Sequence, residues 1–364
     1  MQPKARVPRR CRLSCVLHIA SLSLARSAGL AAVACSQAEH NFVKRFPFTR
    51  VHDRCRQGAS GLVLRFDWFL PSWRSGVVGH RRCRDPKTVF ALPTAMPELI
   101  AAAESGFDPS RSDRVVVFAG DDTWLSTALG DIPSERPKMV ARLRRFFRAI
   151  LYEAMDFLID GVELMPTGLI EKYIFHNVNN ASVAIAHAGL GHKQFNLLAA
   201  WGYHFWFDAN PSVNSAAAWL EEDAAACRAQ AWDRCVGTEF NRLPPGWWWH
   251  ILAQHRFMLM PAGSALQGSK LIEALLVLTV PIASREHGMG LPFDELVKLG
   301  FPIIVVDRWG DITPRRLDKW WDTLSPRLQK FRRDCLTTEA YWRFVVSHLP
   351  GTPLHETRSN FSLR

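Results

Sequence analysis

Several familiar signatures are missing from this 364-residue chain. There is no GxxxxGK followed by Ser or Thr, and no GxGxxG after a strand-like run, so the P-loop and dinucleotide fingerprints are excluded. The cysteines at 11, 15, 35, 55, 83, 227, 235 and 335 never form a CxxC pair, which argues against a zinc site of ordinary spacing. No internal repeat or long low-complexity tract is visible. Beyond the first 38 residues no run is long and apolar enough to span a bilayer. A net charge of +11 does not imply nucleic acid, because no DNA- or RNA-binding motif accompanies it.

Acidic residues are absent from Met1–Ala38, while Lys4, Arg6, Arg9, Arg10, Arg12 and Arg26 all fall there. More than half of the positive excess therefore sits in a leader, and the remainder of about +5 suits an anionic small substrate. The leader has a basic start, an apolar run Leu13–Ala25 and a small-x-small triplet, Ala32-Val33-Ala34. It reads as a signal peptide or a signal anchor, with an organellar transit peptide as the alternative. Cys55–Cys83 and Cys227–Cys235 can be paired as disulfides in an oxidising compartment, and buried thiols are the competing reading. Two sequons occur, at Asn180 and Asn360.

What the chain does contain is a hydrophobic fraction of 48% and a charged fraction of 22%, proportions of a globular protein. Residues 39–85 read as an irregular stem rich in Arg, Trp and Phe. From 86 onward, apolar runs alternate with helical patterns. Helices are expected at Pro93–Gly106, along the basic stretch Lys138–Leu158, at Ser215–Arg234, Pro314–Leu324, Pro326–Leu336 and Glu339–His348. Strands are expected at Arg114–Ala119, Gly161–Leu164, Phe195–Trp201, Phe257–Met260 and Pro302–Val306. Such alternation predicts parallel sheets covered on both faces. Two α/β units, 86–188 and 189–348, would face each other across a cleft, with a loose tail at 349–364.

The stretch His255–Pro281 carries the most chemistry. A buried strand feeds a Pro/Gly/Ser loop, Pro261–Ser269, and a helix opens at Ser269-Lys270. Amides of a first helical turn lack partners inside the helix and attract anions, and Lys270 adds a cation. Glu273 shares a face with Ser269 and Lys270, so an ammonium and a carboxylate can address different parts of one ligand. The competing reading is a solvated surface pair contributing a few tenths of a kcal/mol. Trp247-Trp248-Trp249 cannot all face one side, and most of the triplet is expected in the core.

In order, the chain shows F-x-L-x-P-x-G at 257–263, S-K-x-x-E-A-L at 269–275, Val280-Pro281-Ile282, and P-I-I-V-V-D-x-W at 302–309. Together these resemble the C-terminal half of exostosin-like (family 47-type) glycosyltransferases, over about a hundred residues from His250 to Trp342. The resemblance implies a GT-B-like fold, two Rossmann-like domains with 189–348 binding a nucleotide-sugar donor and 86–188 the acceptor side. Gly263 and Ser264 would lie along the donor diphosphate. Ser269 and Lys270 would bind it, and Glu273 would take hydrogen bonds from the ribose or sugar. Relatives often carry a basic residue after the strand matching Phe195–Trp201, and here Lys193 or Arg228 would stand in. The resemblance also implies metal-independent transfer to a glycan or glycoprotein acceptor, with no bound cofactor, in the secretory pathway and its Golgi, the N-terminal segment serving as membrane anchor. Asp121, Asp122 and His187 are the candidates for an acceptor base. The alternative is a catalytically inactive relative that binds a nucleotide sugar or a protein partner.

Overall fold

In the computed structural model the described residues are 36–50, 61–71, 79–111, 113–175, 177–200, 234–236, 245–261, 266–286 and 290–350. They build an α/β protein with two main sheets. The first has six strands: β2 (Trp68–Leu70), β3 (His80–Arg81), β4 (Thr88–Ala91), β5 (Val115–Phe118), β6 (Ala149–Tyr152) and β7 (Val162–Leu164). Their order is β3-β2-β4-β5-β6-β7, all parallel except the β2–β3 edge pair. β4, β5 and β6 are buried along their whole length, as expected for parallel strands covered on both faces. A small parallel pair, β1 (Phe48–Arg50) with β8 (Leu169–Ile170), adjoins it in sequence.

The second sheet is wholly parallel. It contains β9 (Phe195–Ala200), β10 (Arg234–Val236), β11 (His255–Met260), β12 (Val280–Ser284) and β13 (Ile304–Val306), in the order β10-β9-β11-β12-β13. The chain steps outward from β9 to β10 and then crosses back to β11. The order therefore reverses between β9 and β11, the switch point where ligands bind in open α/β sheets.

Three expectations change, and a fourth lies outside the described residues. Residues 39–85 are not uniformly irregular: they hold the helix Gln37–Arg45 in large part, β1, and the strands β2 and β3. The segment Lys138–Leu158 is not one helix. A helix ends at Arg144 and β6 follows, pairing β5 on one side and β7 on the other. Apolar residues continue at helical spacing across this junction, and periodicity alone does not distinguish a short buried strand from a helix. Pro314–Leu324 and Pro326–Leu336 are one helix, Pro314–Asp334, running through Pro326. Pro326 is exposed, and the helix runs through it without the one backbone hydrogen bond a proline cannot donate. The expected helix at 215–234 lies outside the described residues, save that Arg234 opens β10.

The described residues belong to one compact unit, Ala34–Arg364. The last described helix, Thr338–Val346, packs on β5 and on Gln37–Arg45. Tyr341 donates to the Thr167 carbonyl at 2.6 Å, Thr338 to the Phe46 carbonyl at 2.7 Å, and Trp342 meets Phe66 edge-on at 5.2 Å. Among the described residues no helix is long and apolar enough to cross a membrane.

Candidate functional site

The helix Lys270–Leu276 follows β11 at the carboxyl edge of the second sheet, beside the switch point. Leu271, Ile272, Ala274, Leu275 and Leu276 are all buried, so the helix is held by apolar contacts around most of its circumference. Its polar residues gather at the start. Ser269 does not cap the helix through its side chain; its hydroxyl donates to Glu273 Oε1 at 3.2 Å. The Trp248 indole N–H donates to Glu273 Oε2 at 2.6 Å, and Lys270 Nζ lies 5.1 Å from the Trp248 ring centroid. Ser269, Lys270 and Glu273 thus share a face, as their spacing demands. Trp248 completes the group.

Burial pushes the Lys270 ammonium below the ordinary lysine range, against the pull of Glu273. Burial likewise pushes the Glu273 carboxyl up, against the Trp248 N–H, the Lys270 charge and the Ser269 hydroxyl. Both carboxylate oxygens already hold a donor from the protein, so Glu273 orients Trp248 and Ser269 first and reaches a ligand only through its remaining lone pairs. Gly263 and Ser264 lie outside the described residues.

A second polar cluster occupies the carboxyl edge of the first sheet. Glu153, directly after β6, is buried; its Oε1 accepts from Thr49 at 3.1 Å and Thr167 at 2.5 Å, and its Oε2 from the Gly120 N–H at 2.8 Å. Desolvation pushes its carboxyl up, against the charge of Arg50. Arg50, at the end of β1, is paired with Asp122, and its Nε is buried with no hydrogen-bond partner. Asp121 and Asp122 form the turn after β5. Gly120 makes that turn with φ of +103°, and a Cβ there would stand 2.5 Å from Leu92 Cδ2. Asp121 accepts from the Thr123 N–H at 2.9 Å and from Thr94 at 3.3 Å, and burial raises its pKa.

Gln267 joins the two edges. Its amide donates to the carbonyls of Glu153 at 2.5 Å and Met165 at 3.1 Å, and its oxygen accepts from the Thr167 N–H at 3.1 Å. The segment that starts the Lys270 helix is therefore fixed against residues following β6 and β7. The same helix packs on β8.

Two sequence candidates lie elsewhere. Lys193 precedes β9, at the amino edge of the second sheet, where its Nζ donates to the Val277 carbonyl at 2.8 Å and the Thr279 hydroxyl at 2.9 Å. A phosphate ligand at the carboxyl edge is out of its reach, because β9 and the Lys270 helix intervene. His187 ends the helix Val178–His187, exposed, on the same amino side. His255 is a core residue stacked on Phe195 at 5.1 Å, its Nδ1 2.7 Å from the Ile251 carbonyl. Arg228 lies outside the described residues. Among the described residues no group of three or more His, Cys, Asp or Glu side chains is arranged to hold a metal ion.

Sequence reasoning missed Arg50, Thr49, Glu153 and Gln267. Glu153 sat in a stretch read as helix, and Arg50 in a region read as stem. Only the acceptor-base candidates Asp121 and Asp122 pointed at that edge. The chain matches no protein-family model, and no curated protein matches it.

Proposed function

We propose that the chain transfers a sugar from a nucleotide-sugar donor to a glycan or glycoprotein acceptor, as a GT-B-like glycosyltransferase of the exostosin-like kind. The observation that carries this reading is the strand order of the second sheet, which reverses between β9 and β11 immediately before the 261–269 loop and Lys270. In this reading the donor diphosphate sits against that loop, and Lys270 neutralises the charge that builds as the sugar leaves. Asp121 takes the proton of the acceptor hydroxyl; its raised pKa brings it toward the working range of a base. The acceptor oxygen bonds to the anomeric carbon, the bond to the diphosphate breaks, and its electron pair leaves with the nucleotide. His187 is dropped as a base on position, and Asp122 is engaged by Arg50.

A second reading, a non-catalytic relative that binds a nucleotide sugar or protein partner, draws on the internal engagement of both Glu273 oxygens. Incubation with a panel of UDP- and GDP-sugars separates the two, with nucleotide release and ligand-induced thermal shift as readouts. Transfer predicts release that Lys270→Ala lowers at least about tenfold, a loss of about 1.4 kcal/mol, and that Asp121→Asn abolishes with donor binding retained. Binding without release supports the second reading. No shift with any nucleotide sugar removes the transferase and the nucleotide-sugar-binding readings and leaves only a protein-binding relative.

A further inference from the structure

The three consecutive tryptophans are divided among three environments. Trp249 is buried, Trp248 serves Glu273 and Lys270, and Trp247 stands 67% exposed. Around Trp247 lies an open groove of about 570 Å³, lined by Asn180, Gly246, Trp247, His250, Ile251 and Gln254. Trp247, His250 and Ile251 follow the i, i+3, i+4 spacing of one face of the helix Pro245–Ala253, which packs on Val178–His187, and Gln254 directly follows that helix. Asn180 comes from that second helix. It lies close over Gly246, where a Cβ would stand 2.9 Å from its Nδ2.

We propose that this groove binds a neutral oligosaccharide. The volume falls in the range of small-molecule sites. An exposed indole offers a flat apolar face, and large exposed aromatics in a concavity mark interaction sites. The two carboxamides each present donors and an acceptor, and the imidazole adds one of either kind. Hydroxyl groups, which both donate and accept, match that lining. Apart from His250, no titratable group among the described residues lines the groove, so among them a phosphate or carboxylate ligand finds no counter-charge. This site is separate from the Lys270 group and does not depend on the donor reading, although Trp247 and Trp248 are neighbours in the chain.

Asn180 also opens the sequon Asn180-Ala181-Ser182, so the full chain is produced for the test without N-glycosylation, which leaves the groove open. Short neutral oligosaccharides of hexose and of N-acetylhexosamine are titrated while saturation-transfer NMR and tryptophan fluorescence are recorded. Binding is expected for at least one of them, weakened about tenfold in Trp247→Ala and partly kept in Trp247→Phe. Gly246→Ala, which crowds Asn180, is expected to weaken it as well. Because Trp247 is exposed, the variants should fold, and circular dichroism verifies this. Absence of saturation transfer from every oligosaccharide, or equal binding by folded Trp247→Ala, overturns the proposal. A nucleotide-sugar thermal shift on the same samples keeps the outcome distinct from that of the donor site.

Discussion

The two edges of the second sheet each carry a desolvated lysine, and the two are used differently. At the amino edge, the Lys193 ammonium is held by two oxygens, the Val277 carbonyl and the Thr279 hydroxyl. Thr279 in turn reaches the carbonyls of Leu252 and His255 at 2.8 and 2.9 Å. Burial, with Arg332 nearby, pushes Lys193 down to about 7. At the carboxyl edge, Lys270 faces an indole and feels the Glu273 carboxylate, and no ion pair or hydrogen bond commits its donors among the described residues. The comparison teaches that burial of a lysine does not by itself mark a site. What matters is whether the protein has already supplied the acceptors.

The largest effect that can break this comparison is on stability. Lys193→Ala leaves a carbonyl and a hydroxyl buried without their donor and should cost about 2–3 kcal/mol, measured by urea denaturation. If the loss is negligible, Lys193 is not the structural member of the pair. A smaller effect is the pH dependence. Between about 7 and the ordinary value of 10.5, the unfolded chain binds more protons at this residue than the folded chain does. Stability should therefore rise with pH across that window, by at most about 1.4 kcal/mol per unit, and Lys193→Met should remove that rise. Comparing melting curves of the two proteins from neutral to alkaline pH checks the sign. The smallest effect is expected at the other edge. Lys270→Met removes a desolvated charge that holds no acceptor among the described residues, and should leave stability within about 1 kcal/mol of wild type. A large loss there would make Lys270 structural too.

Three strands of the second sheet were legible because Phe195–Ala200, Phe257–Met260 and Pro302–Val306 are short and apolar, whereas Val280–Ser284 was read only as a motif and Arg234–Val236 fell at the end of an expected helix. The Ser269, Lys270 and Glu273 face was legible from spacing alone. The partnership with Trp248 was not, because a contact across 25 positions leaves no local periodicity. Glu153 was hidden for the same reason at greater range: Thr49 is 104 residues away and Gln267 is 114. Pro326 misled by marking a helix boundary where the exposed side of a long helix tolerates it. In Lys138–Leu158, no Gly or Pro interrupts the chain between the helix and β6, so no breaker marked the change.

The position of the final helix sets an order of assembly. A ribosome delivers β1 to β8 long before it delivers Thr338–Val346, yet Tyr341 and Trp342 complete the surroundings of Thr167 and Phe66. Until Thr338–Val346 emerges, the part of the nascent first sheet that it covers stays open to water and to other chains. A fragment ending before Thr337 would therefore be a sticky, half-clothed intermediate, and the amino half of this protein is expected to reach its finished form only after Thr338–Val346 has been made.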